Sequence, residues 1–155
     1  MSFRVCALPM EPFAALFELS DRELRERRAL LRVADRKPGF PCRVSLVDAE
    51  VGETVLLVNY EHQDAATPFR SSHAIYVRAG AVQVHCAVGE VPPLLRTRLI
   101  SLRGFDTEGM LVGADAIEGT RIEEAIERLF EDERIAYLHL HYAKPGCYAA
   151  RVERA

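Results

Sequence analysis

The run Val55-Leu56-Leu57-Val58-Asn59-Tyr60-Glu61-His62 decides how this 155-residue chain is built. Val55 to Val58 has the continuous apolar character of a buried strand, and the strand continues outward to His62. Two further strands are expected after it, His73 to Arg78 and Ala81 to Ala87, joined around Gly80. In the second, Val82, Val84 and Cys86 alternate with Gln83 and His85, which puts Cys86 and His85 on opposite faces. Strands next to strands, rather than strands alternating with helices, point to a largely antiparallel sheet.

Toward the N-terminus, two prolines flanking Gly39-Phe40 exclude regular structure from Lys37 to Pro41, and Phe40-Pro41 is a candidate cis bond. A strand is expected over Phe3 to Leu8, then a short helix opened by Pro12, since proline suits a first helical turn. Ser20-Asp21-Arg22-Glu23 is a capping box, and Leu19 with Leu24 occupies the positions of a hydrophobic staple. These signals start a helix at Asp21 that runs to near Leu30, followed by a strand around Leu31 to Ala34.

Toward the C-terminus, Pro92-Pro93-Leu94-Leu95 opens a helical turn, and Leu99 to Phe105 with Met110 to Ile117 reads as a hairpin around residues 106–109. Thr120-Arg121-Ile122-Glu123 is a second capping box, and Ile122, Ala125, Ile126, Leu129 and Phe130 share one helical face. A last hairpin joins Ile135 to Tyr142 with Cys147 to Glu153 across Lys144-Pro145-Gly146. The expectation is one α+β domain spanning residues 1–155, with two or three helices and a largely antiparallel sheet that is open or curled into a partial barrel.

Apolar content of 49% and charged content of 28% are those of an ordered globular protein. Net charge is −3 and neither half is basic; the arginines from Arg22 to Arg28 alternate with Glu23 and Glu26 as on a solvated helix face. Nucleic-acid binding, which favours a basic patch and a high pI, is therefore not expected. No stretch approaches the ~20 apolar residues of a spanning helix, and the N-terminus lacks an apolar signal region, so no membrane partner is expected and a cytoplasmic location follows. Cys6, Cys42, Cys86 and Cys147 stand singly, which suits reduced thiols better than a disulfide framework or a zinc knuckle.

Chemistry-bearing residues gather between Lys37 and Arg78. Cys42 follows a rigid turn and precedes Arg43, and a neighbouring cation favours a thiolate. Tyr60 and His62 end one strand; Arg70, Ser71, Ser72 and His73 begin the next after a long connection. If His62 pairs with His73, Tyr60 falls opposite Ile75. Arg70 and the two hydroxyls could then hold a carboxylate or phosphate, because guanidinium offers a planar fork and serine adds donors.

Elsewhere, His139-Leu140-His141 points two imidazoles to one face of a strand, a common half of a metal site. The third ligand is the difficulty. With a turn at Pro145-Gly146, residue 141 faces 150 and 139 faces 152, so Cys147 lies with Leu138 and Leu140, away from the histidines. A three-residue loop would reverse this parity. No metal ligand set is assigned, and no cofactor is named. The dinucleotide, phosphate-loop, nucleophile-elbow and zinc-protease signatures are all absent.

Lys37-Pro-Gly-Phe-Pro-Cys-Arg-Val-Ser-Leu46, Gly52-Glu-Thr-Val-Leu-Leu-Val-Asn-Tyr-Glu-His-Gln63, Arg70-Ser-Ser-His-Ala-Ile-Tyr-Val-Arg78 and Ala143-Lys-Pro-Gly-Cys-Tyr-Ala-Ala-Arg151 occur in this order. In these segments the chain resembles the bacterial domain-of-unknown-function family numbered twelve hundred and three. The resemblance covers nearly the whole chain and implies a complete, single-domain bacterial protein; it carries no activity, cofactor or catalytic residue.

The leading expectation is a polar pocket that binds a small anionic or carbonyl-bearing molecule, with acid/base chemistry in its enzymatic form. Arg43 and Arg70 would hold the anion, Ser71 and Ser72 would donate hydrogen bonds, and Tyr60 would border the pocket. His73 with His62 or His141 would move protons near neutral pH, and Cys42 would be a nucleophile only in an enzyme. The alternative is a non-catalytic binding or assembly domain whose polar residues fix the core and whose exposed strand edge mediates self-association. Metal binding through His139 and His141 comes third and predicts stoichiometric metal in the purified protein.

Overall fold

A computed structural model describes residues 2–155. Its elements, in order, are β1 (Phe3–Cys6), α1 (Glu11–Ala14), α2 (Asp21–Glu26), β2 (Ala29–Val33), β3 (Thr54–Gln63), β4 (Ser71–Arg78), α3 (Pro93–Arg96), β5 (Leu99–Phe105), β6 (Leu111–Glu118), α4 (Ile122–Phe130), β7 (Tyr137–Tyr142) and β8 (Tyr148–Arg154). Two antiparallel sheets form, one ordered β1-β8-β7-β5-β6 and the other β2-β3-β4. The α+β expectation holds, and the sheets stay open rather than closing into a barrel.

The five-stranded sheet buries one face against α4. Leu138, Leu140 and Tyr142 of β7, with Ile100 and Leu102 of β5, pack there on Ile122, Ala125, Ile126 and Phe130. Period-two alternation sends His139 and His141 to the other face, toward the three-stranded sheet. Between the sheets, Leu56 and Val58 of β3 and Ile75 and Val77 of β4 join Leu8, Phe13 and Tyr148 in a second apolar cluster. β7 is thus covered on both sides, and Leu138 to Tyr142 are all buried.

Several local expectations need correction. The first capping box forms, with Ser20 Oγ accepting from the Glu23 amide at 3.2 Å. The helix stops at Glu26, because Arg28 adopts a left-handed φ of 54° that turns the chain, so β2 begins earlier than expected. The second capping box does not form. A 3-10 turn over Gly119–Arg121 precedes α4, and the Glu123 carboxylate is held by both Arg96 terminal nitrogens.

Residues 81–87 are not a strand. The Val84 amide donates to the Val44 carbonyl, Gln83 Nε2 donates to Ala7 O, and only an isolated bridge joins His85 to Cys6. The cis bond is Lys37-Pro38, not Phe40-Pro41. In the last hairpin an irregularity between Leu140 and His141 places His141 opposite Tyr148 and His139 opposite Arg151, instead of 150 and 152. The β3–β4 register runs unbroken from Val55 to Glu61 and places His73 opposite Tyr60 and Ile75 opposite Val58, so His62 is not paired with His73; an irregularity follows between Glu61 and Gln63.

Candidate metal centre

Three imidazoles meet between the sheets. His139 and His141 project from β7, and His62 reaches across from the end of β3, with ring centroids 4.9 Å from His141 and 5.9 Å from His139. One ring nitrogen from each of the three lies within 4.8 Å of the other two. His139 and His141 are buried and His62 is half-buried, which leaves one side of the group toward the surface.

The walls are aromatic. Tyr148 stacks on His62 at 5.5 Å and meets both strand histidines edge-on, while Phe105 and Tyr137 flank His139 at 5.1 and 5.3 Å. Such surroundings disfavour a charged imidazole. Burial, with Arg103 and His73 adding repulsion, lowers His62 to about 4. Burial first, then the neighbouring histidines and arginines, lowers His139 to about 3; burial also takes His141 to about 3 against an opposing hydrogen bond. All three are neutral near pH 7.

That hydrogen bond sets a tautomer. His141 Nδ1 lies 3.0 Å from Gly146 O, and a carbonyl can only accept, so the proton sits on Nδ1 and Nε2 presents a lone pair. Among the described residues Nε2 of His141 has no partner, and neither have the buried Nδ1 atoms of His62 and His139. Buried polar atoms are normally satisfied, so three orphaned nitrogens in one place mark what the cluster can do. A carbonyl orienting an imidazole whose other nitrogen is free is the usual support of a metal-bound histidine.

Arg103 lies in register with His139 across β5 and β7 and has no carboxylate partner among the described residues. Its half-buried guanidinium has a lowered pKa through burial. Arg151, opposite His139 on β8, is engaged by Glu153 at 2.8 Å and lies 3.8 Å from the centroid of Tyr137.

The other expected site residues are dispersed. Arg70 pairs with Glu61 at 2.5 Å on the surface; Ser71 Oγ donates to Phe69 O at 3.0 Å, and Ser72 is exposed. Tyr60 lies between Phe13 and Tyr148, and His73 Nδ1 is 3.1 Å from Ala74 O. Cys42 is buried, its sulfur accepting from the amides of Arg78 at 3.3 Å and Ser45 at 3.5 Å. The thiol touching Arg43 is that of Cys147, at 3.0 Å from Nη2. Arg103 escaped the sequence reading, which weighed Cys147 as a metal ligand and not as a partner of Arg43; alignment of Arg103 with His139 on neighbouring strands was the one available signal.

Residues 39–154 match the family model described as "Protein of unknown function (DUF1203)". The chain belongs to that family. The matched region of this DUF1203 member holds all three histidines, Arg103 and Arg43. No curated protein and no solved structure matches the chain. Among the described residues no helix is long and apolar enough to cross a membrane.

Proposed function

We propose that this protein binds a divalent transition metal, zinc by preference, through His62, His139 and His141. The observation that carries the reading is the convergence of three neutral imidazoles, two buried and one half-buried, each with a buried ring nitrogen that has no partner among the described residues. Imidazole suits zinc, and a zinc–nitrogen bond is about 2.1 Å, so modest rotation of the three rings would draw their nitrogens around one ion. Three protein ligands leave a fourth position open, the arrangement of catalytic rather than structural zinc, where bound water becomes a nucleophile near neutral pH.

Arg103 gives this reading a direction. A nearby guanidinium repels a bare dication but favours an anion bound to it, so the open position suits hydroxide or a small carboxylate or phosphate. The four cysteines are free thiols, which supports a reducing, cytoplasmic setting. The anion-binding expectation at Arg43 concerns a separate cavity.

Protein purified without chelator should carry about one equivalent of zinc by elemental analysis, and the chelated protein should regain one equivalent in a titration. His62→Ala and His141→Ala should each weaken binding by more than ~100-fold while a Cys42→Ser control binds normally. Zinc binding that survives both histidine substitutions would sink the proposal.

A further inference from the structure

The β7–β8 turn, through Ala143, Lys144 and Pro145, lines a cavity of about 620 Å³ to which none of the three clustered histidines contributes. Its floor includes Arg43, only 1% exposed. Arg43 Nη1 donates to Pro41 O at 2.5 Å, Nε to Tyr148 O at 2.8 Å and Nη2 to Cys147 Sγ. No carboxylate pairs with it among the described residues. Guanidinium does not deprotonate in proteins, and a buried charge normally has a counter-charge.

The remaining walls share this bias. The guanidinium carbons of Arg98 and Arg43 lie 5.0 and 5.1 Å from the centroid of the Tyr142 ring, and Arg98 donates from both terminal nitrogens to the Asp48 carboxylate. Lys144 stands exposed at the rim without an ion-pair partner among the described residues. Glu118 is the one acid among the lining side chains. Tyr142 does not compete as an anion, since burial pushes its phenol up to about 12. Tyr76 and Leu57 supply an apolar wall.

We infer that this cavity binds a small organic oxyanion, an apolar body carrying a carboxylate or phosphate head. The volume is that of a small-molecule site and exceeds what an inorganic ion would fill. The head would lie toward Arg43, Arg98 and Lys144, and the body against Tyr76 and Leu57. The inference goes beyond the metal reading and stands without it.

Isothermal titration of the full chain with phenyl phosphate, phenylacetate and neutral phenylethanol tests it, the first two separating the head groups. At least one charged probe should bind roughly tenfold or more tightly than the alcohol, as loss of a charge-assisted hydrogen bond implies. Lys144→Glu, at an exposed position that leaves the fold intact, should erase that preference; a matching melting temperature checks the fold. Equal binding of charged and neutral probes, no binding of either anion at millimolar concentration, or an unchanged preference in Lys144→Glu would overturn the inference. His62→Ala protein in chelator should keep the preference. Its loss there would assign the anion to the metal centre and also overturn this site.

Discussion

The histidine cluster and the Arg43 cavity both touch the β7–β8 turn, through Gly146 and through Ala143 to Pro145, and answer burial in opposite ways. An imidazole can discard its proton when burial disfavours the charge, and these three do, each keeping a buried ring nitrogen without a partner among the described residues. A guanidinium cannot. Arg43 stays charged and spends its donors on two carbonyls and a thiol. The retained chemistry of one site therefore suits a cation and that of the other an anion, although residues of both sheets border each. Burial alone does not decide what a polar site accepts; the chemistry each group retains after burial does.

The largest effect should come from breaking the charged member. Arg43→Ala strands the carbonyls of Pro41 and Tyr148 and opens a void, and should lower unfolding free energy by about 3–5 kcal/mol in urea denaturation. A loss below about 1 kcal/mol would mean that Arg43 does not hold the floor of the cavity. For the neutral member, acid is the sharper tool. Well above pH 6.5 neither the folded nor the unfolded metal-free chain protonates His139 or His141. Below it the unfolded chain takes up protons that the folded chain refuses until about pH 3. Stability therefore falls as pH falls through this window, by up to about 1.4 kcal/mol per pH unit for each buried ring. The difference between wild type and His139→Phe, measured from pH 7 to pH 5, isolates the term from the carboxylates. A pH-independent difference would show that His139 is not held neutral.

How much of this was legible from the chain follows from how local each signal is. The Ser20 capping box and the alternation of Leu138, Leu140 and Tyr142 with His139 and His141 act over a few residues, and they appear as read. Thr120 fails as a cap because Glu123 is taken by Arg96 from another element. The stretch 81–87 has a strand's pattern, but its hydrogen bonds go to Val44 and Ala7 in loops. His62 was recognisable as chemistry-bearing, yet its partners belong to the other sheet, and sheet docking leaves no short-range mark. The same holds for Arg43, whose sequence neighbour is Cys42 and whose spatial neighbour is Cys147.

The smallest effect should fall on Arg70, which the sequence ranked beside Arg43. Its ion pair with Glu61 is largely exposed, with side chains 58% and 42% accessible. An exposed pair gains little over solvation in water and gives up side-chain entropy, so Arg70→Ala should change unfolding free energy by about 0.5 kcal/mol or less. Phenyl phosphate affinity should stay at the wild-type value, because Arg70 does not line the cavity. Two arginines alike in sequence then differ several-fold in stability effect, through what surrounds each charge. A loss from Arg70→Ala as large as that from Arg43→Ala would remove burial as the cause, and would return the functional site to the Arg70 to His73 segment.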